Sequence, residues 1–208
     1  LAVQWDLLPS NPAARVPLYR ECNRVENYVS PDQLARLLTV LQTHNARTVG
    51  HVVMFLLSTG ARLNEALKAS WKDIDTETRV WRIPASNSKS KRIRTVPLND
   101  AALEVLAQLP KIEGQAFLFR SRQTGKRLTT ITRVWMRIRK EAGLPNLRLH
   151  DLRHQYASFL VNSGRSLYEV QQILGHSDPT VTQRYSHLST QTLQEAAQTA
   201  TARLNDAL

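Results

Sequence analysis

His150-Asp151-Leu152-Arg153-His154-Gln155-Tyr156-Ala157-Ser158-Phe159-Leu160-Val161-Asn162, closed by Gly164, predicts a helix over 151–162 with its charged groups crowded at the start. His150 and Arg153 stand three residues apart there, so they share one side. The free amides of a helix N-terminus favour an anion at the same place. Downstream, a helix over 167–174 stops at Gly175, and the next residue is His176. Asp178-Pro179 opens another short helix, in which Thr182-Gln183-Arg184-Tyr185-Ser186-His187 offers a tyrosine among polar neighbours. A last helix is expected from about Thr190 to Asn205.

Upstream, Ser30-Pro31 reads as an N-cap followed by proline at the first helical position. Leu34, Leu37, Leu38 and Leu41 then recur at helical spacing. An apolar helix over about 48–58 stops near Gly60, and a third begins around Arg62. Val80-Trp81-Arg82-Ile83 and Ile93-Arg94-Thr95-Val96 suit two strands of a hairpin, joined by the polar stretch 86–92. Asn99 or Asp100 caps a helix over 101–109, and Thr129 or Thr130 opens one that reaches Ala142 before Gly143. The fold class is therefore mainly α with a small antiparallel β-sheet. Residues 1–28, with Pro9, Pro12 and Pro17, read as a linker.

The chain has 208 residues, 42% hydrophobic and 22% charged, so it can bury a core. Lys and Arg number 28 against 17 Asp and Glu, a formal net charge of +11, which favours a polyanionic partner. Between Gly114 and Lys140 lie Arg120, Arg122, Lys126, Arg127, Arg133, Arg137, Arg139 and Lys140 with no acidic residue. Arg133, Arg137 and Lys140 form a stripe at helical spacing, and the hairpin adds Lys89, Lys91, Arg92 and Arg94. A charge run is usually a solvated face, but two acid-free clusters favour a DNA phosphate surface. Cys22 is the only cysteine, which excludes an internal disulfide and a cysteine metal site. No run of about 18 apolar residues would span a bilayer. The start lacks a signal-peptide pattern and an initiator Met, so the chain is expected to be a fragment of a longer protein.

No metal motif or phosphate loop is present: His-Glu-x-x-His and Gly-x-x-x-x-Gly-Lys-Ser/Thr are absent. His150 and His154 have zinc-ligand spacing without an evident third ligand, and Asp73-Ile74-Asp75 reads as a helix-exit turn. A lone histidine or tyrosine is more often structural than catalytic. The series is what carries weight. Thr-Gly-Ala-Arg-Leu-Asn-Glu-Ala-Leu (59–67), a basic hairpin before Arg-Thr-Val-Pro-Leu (94–98), His-Asp-Leu-Arg-His (150–154), Leu-Gly-His-Ser (174–177) and Arg-Tyr-Ser-His-Leu (184–188) resembles the tyrosine recombinase, or phage integrase, family.

The resemblance runs from about Val29 to Ser189 and implies that 29–208 is a catalytic domain, preceded in the family by a core-binding domain. It implies site-specific strand exchange on double-stranded DNA through a 3′-phosphotyrosine, without metal, ATP or other cofactor. Arg62 and Arg153 would bind the scissile phosphate, with His150 and His176 completing the cradle. Lys89 would be the general acid, with Lys91 its rival, and Tyr185 the nucleophile. Glu65 would orient the site. The segment 189–208 would dock on a neighbouring protomer and build a homo-tetramer on DNA. The expected setting is the cytoplasm of a bacterium, with the gene of bacterial or phage origin. Gln155 departs from the small or hydroxyl residue commoner in the family. A type IB topoisomerase, with a similar cradle, is the alternative enzyme, and a DNA-binding module without catalysis the alternative of another class.

Overall fold

The computed structural model describes residues 1–17, 27–88, 91–176, 178–189 and 194. Helix α1 (Pro31–Thr43) begins as its sequence dictates. The Ser30 hydroxyl accepts from the Gln33 amide and the Gln33 side chain accepts from the Ser30 amide, a reciprocal cap. Helix α2 (Arg47–Thr59) is the centre of the domain: Val52, Val53, Phe55 and Leu56 are all buried, and it packs against α1 and the helices introduced below. Leu37 and Leu41 are the α1 residues that meet this core, while Leu34 and Leu38 are partly buried at its edge.

Helix α2 ends where Gly60 takes a left-handed conformation, φ 61°. A Cβ there would lie 2.4 Å from Tyr156 Cδ1 and 2.7 Å from Leu174 Cδ2, so glycine is required twice over, for backbone and for space. Helix α3 (Leu63–Leu67) follows. A three-stranded antiparallel sheet comes next, β1 (Ile74–Asp75), β2 (Val80–Ile83) and β3 (Arg94–Pro97), in the order β1-β2-β3. The hairpin expected from the sequence is β2 and β3, with Trp81 opposite Val96. The reading of 73–75 as a turn is corrected: Ile74 pairs with Trp81, and Asp75 Oδ1 turns the chain by accepting from the amides of Glu77 and Thr78. Two residues are too short to show alternation, which hid the strand.

Helices α4 (Asp100–Ala107), α5 (Thr132–Glu141), α6 (Leu149–Asn162), α7 (Leu167–Leu174) and α8 (Thr180–Gln183) complete the described elements. Helix α5 starts later than expected, because Thr130 is spent on a turn, its hydroxyl accepting from the Thr132 amide. Phe55 meets Trp81 and Phe119 at centroid distances of 5.3 and 5.6 Å, joining helix, sheet and the 116–120 segment in one core. A second cluster gathers Tyr156, Ala157, Val161, Val170, Leu174 and Tyr185 between α6, α7 and α8. Gln155, the departure noted above, is buried and its side-chain carbonyl accepts from the Val29 amide at 2.7 Å, which ties the approach to α1 onto α6. Residues 1–17 are largely exposed, with one 3-10 turn at Pro12–Arg15. The helix expected over 190–205 lies outside the described residues.

Gly60 and Gly164 separate two costs of adding a methyl group. Gly164, φ 80°, has nothing within 4 Å of a Cβ, whereas Gly60 has two side chains in the way. Gly164→Ala should cost about 1–2 kcal/mol from backbone strain alone. Gly60→Ala should cost about 1–3 kcal/mol more from overpacking. Thermal unfolding of both variants checks this, and equal losses would contradict the packing at Gly60.

Candidate active site

The site forms where the ends of α2, α6 and α7 converge. Arg153, in the first turns of α6 and 3% exposed, donates from Nη1 to the Gly60 carbonyl at 2.7 Å and from Nη2 to the Leu174 carbonyl at 2.8 Å. Both acceptors are at helix C-termini, where carbonyls lack intrahelical partners and the helix dipole is negative. Burial, then the nearby Arg62 and Arg94, lower Arg153 to about 9, so it remains a cation at neutral pH. Two of its five N–H donors are spent on the backbone, and the others are left for a ligand.

Arg62, half-buried at the start of α3, donates to Glu65 Oε1 at 2.9 Å, and Arg94 Nη2 reaches the other oxygen of Glu65 at 3.1 Å. Glu65 is 2% exposed; burial pushes its carboxyl up, and Arg94 and Arg62 outweigh that to hold it below its usual range. Arg94 also donates from Nη1 to the Ile173 carbonyl at 2.6 Å and packs over Gly175. This corrects the reading of Arg94 as part of a DNA-facing basic cluster: its side chain is 8% exposed and bridges the sheet to the end of α7. Glu65 and Arg94 lie 29 positions apart, so no local pattern signals their pairing.

His150 stands exposed on the first turn of α6, beside the buried Arg153. Asp151 on that turn is fully buried, accepting from the Arg148 amide at 2.8 Å and from the Asn27 side chain at 3.2 Å. His176, half-buried just past α7, has Nδ1 2.8 Å from the Thr182 hydroxyl of α8. Tyr185 follows α8 and is 1% exposed; its hydroxyl oxygen lies 2.6 Å from Nδ1 of His154. Arg153, His150 and His154 thus share the first turns of α6, with Tyr185 on His154 and His176 on Thr182 of α8. Lys89 lies outside the described residues. Asn87, two positions before it, donates to the Glu65 carbonyl at 3.1 Å, which holds the base of the hairpin loop against α3. Lys91 is exposed with φ 53°.

Sequence reasoning missed His154 as a partner of Tyr185. The only available signal was its place four residues after His150 on one helix face, where the two rings meet edge-on at 4.8 Å. Arg133, Arg137 and Lys140 are exposed on α5, while Trp135 and Ile138 turn inward, so the basic stripe faces solvent. Arg127 sits over the Phe117 ring at 5.6 Å. The site sets Arg153 on the last carbonyls of α2 and α7, Arg62 and Arg94 on Glu65, and the Tyr185 hydroxyl on His154, the residue after Arg153. Fixed cations of this kind can stabilise negative charge that develops on an anion.

The phage integrase family profile matches residues 27–192. The integrase of Salmonella phage P22 is 30% identical over 205 residues, 93% of this chain and 51% of that protein. A tyrosine recombinase XerC of Pediococcus pentosaceus is 29% identical over 220 residues, 99% of this chain and 72% of that protein. Among solved structures, the catalytic domain of bacteriophage HP1 integrase is similar with a TM-score of 0.66 and 28% identity, over 84% of this chain and 95% of that one. XerA recombinase shares the fold, with a TM-score of 0.68 and 24% identity over 95% of this chain and 70% of that one. The chain spans about half the length of the P22 integrase and of the Haemophilus phage HP1 integrase, 51% in each case.

The histidines give the site a pH signature. Burial first, then Arg153 and Arg62, lower His176 to about 3; burial first, then His150 and Arg184, lower His154 to about 4. An unfolded histidine takes up its proton near pH 6.5. Below that pH the unfolded chain binds protons that the folded chain refuses, so stability is complete above 6.5 and is lost as pH falls. Glu65 is held below its usual 4.5, so the span from pH 6.5 to 4.5 reports the histidines. The melting temperature should fall across that span, and fall less in His176→Asn. Equal slopes would contradict a neutral, half-buried His176.

Proposed function

The chain belongs to the phage integrase family, and from that premise we propose that it is the catalytic domain of a tyrosine-type site-specific DNA recombinase. The observation that carries the reading is the buried Arg153 near Arg62, His150 and His176, with the Tyr185 hydroxyl on His154, the next residue of the same helix. In this reading double-stranded DNA lays its backbone across the exposed basic face of α5 and the hairpin, through phosphate neutralisation. Arg62 and Arg153 take the non-bridging oxygens of the scissile phosphate, as planar guanidiniums suit that geometry. His150 and His176 complete the cradle. Lys89 protonates the leaving 5′-oxygen, with Lys91 the alternative.

Tyr185 is the nucleophile. Phenol is weak at neutral pH, its ordinary pKa being about 10, so a cationic surrounding is what makes it competent. Attack forms the bond from Tyr185 Oη to phosphorus and breaks the bond to the 5′-oxygen. The 3′-phosphotyrosine conserves the phosphodiester energy, and a 5′-hydroxyl of another strand reverses the step without ATP. Assembly of a homo-tetramer on DNA through residues 189–208, in a bacterial cytoplasm, belongs to the same proposal. So does residues 1–28 acting as a linker from a core-binding domain.

The test uses nicked duplexes of randomised sequence, in which cleavage releases a short strand and traps the adduct. On a denaturing gel the chain should give a covalent protein–DNA band, and Tyr185→Phe should bind the same DNA and give none. A band from Tyr185→Phe would refute the reading.

A further inference from the structure

His154 is not among the residues assigned by the motif order, yet its side chain is in contact with the proposed nucleophile. It stands one position after Arg153 on α6, is 7% exposed, and has Nδ1 2.6 Å from Tyr185 Oη. That distance is short for a neutral hydrogen bond and leaves no room for water between the two atoms. The charged and titratable groups facing His154 come from each neighbouring element. They are His150, Asp151 and Arg148 from α6 and its cap, Arg184 beside Tyr185, and His176 at the end of α7. Most are cationic or can become so, and with burial they keep the ring neutral at physiological pH.

A neutral imidazole has one bare nitrogen, and a phenol has one proton to give. We propose that His154 accepts the phenolic proton of Tyr185 through Nδ1 as Oη attacks phosphorus, which makes it a catalytic residue of strand cleavage. The inference rests on Tyr185 being the nucleophile. The step balances. The Oη–P bond forms and the P–O5′ bond breaks; the phenolic proton passes to Nδ1, and the leaving oxygen takes a proton from the general acid, Lys89 in the proposed reading. In rejoining, a 5′-hydroxyl gives its proton back to that general acid, now a base, and attacks phosphorus; the Oη–P bond breaks and Tyr185 recovers its proton from His154. Before DNA arrives, the surrounding cations make the ring a weak base. The negative charge of a phosphodiester bound nearby favours the protonated ring, so basicity rises when substrate is present. His150, exposed on the first turn of the same helix, is left to the phosphate.

Two measurements test this. In the free chain, nitrogen-15 NMR of the histidines, with His154 assigned by its loss in His154→Asn, should find Nδ1 bare and the proton on Nε2. A protonated Nδ1 would mean that the ring donates to the phenol oxygen, and would overturn the proposal without any DNA. The second measurement is single-turnover adduct formation on the nicked duplex pool. His154→Asn keeps an acceptor near the position of Nδ1 but takes no proton. It should bind DNA as the unsubstituted chain does and react about 10²-fold or more slowly. The deficit should shrink in strongly alkaline buffer, where hydroxide takes the phenolic proton without help. An unchanged rate in His154→Asn, with Tyr185→Phe inactive, would overturn the role of His154 and leave the recombinase reading intact. Adducts from Tyr185→Phe would instead remove the reading itself, while the NMR result would still report the bond.

Discussion

Arg153 is held by the two carbonyls at the ends of α2 and α7, and the rest of the domain is arranged around that pair of hydrogen bonds. A buried guanidinium costs several kcal/mol unless its surroundings return the lost hydration. Among the described residues no carboxylate forms an ion pair with Arg153. Compensation comes instead from the negative ends of two helices. That choice has a consequence for function. A carboxylate would neutralise the cation, whereas backbone carbonyls orient it and leave its charge available. Glu65 absorbs the other two arginines, so Arg62 and Arg94 are positioned and Arg153 stays the least compensated charge of the three. A field of this kind exists before an anion enters and needs no reorganisation at the moment of reaction.

Tyr185 shows how closely fold and chemistry share residues. Its ring belongs to the small apolar cluster of α6, α7 and α8, and its hydroxyl is the polar handle that meets His154. Thr182 fixes α8 to His176 in the same way, so the segment that carries the tyrosine is pinned to the cradle at two points. The contacts of Thr182 and Tyr185 thus tie α7, α8 and α6 together. Gly60 and Gly175 make this possible, since each lets a helix stop abruptly enough for arginines to reach its last carbonyls.

Much of this was legible in the sequence because it is local. Ser30-Pro31, Gly60, Asn99 and Gly175 mark helix ends by backbone chemistry that needs no tertiary knowledge, and α7 runs between the residues expected of it. The hairpin of β2 and β3 follows from its strand patterns and the polar stretch between them. What was not legible is long-range. Strand β1 is two residues long and exists only because β2 lies beside it. Arg94 looks like a surface charge until Glu65 and Ile173, distant in sequence, are seen to close over it. Gln155 looks like an anomaly until Val29 is found to need an acceptor. His154 looks like half of an incomplete metal pair until Tyr185 is placed against it. In each case the missing information is a partner, and spacing along the chain carries no record of it.

The central claim is that the arginines act on the negative charge of a phosphodiester. The most direct measurement compares Arg62→Ala with the unsubstituted chain on two nicked duplexes of one cleavable sequence. One carries the ordinary phosphodiester at the scissile position, and the other a neutral methylphosphonate. Arg62 is the better probe because it is partly exposed, while Arg153 is bound into the core. The account predicts a loss of about 10²–10³ in adduct formation on the phosphodiester and little loss on the methylphosphonate, where there is no charge to stabilise. Equal losses on both would contradict it, since Arg62 would then serve the fold or the placement of DNA and not the charge in the transition state.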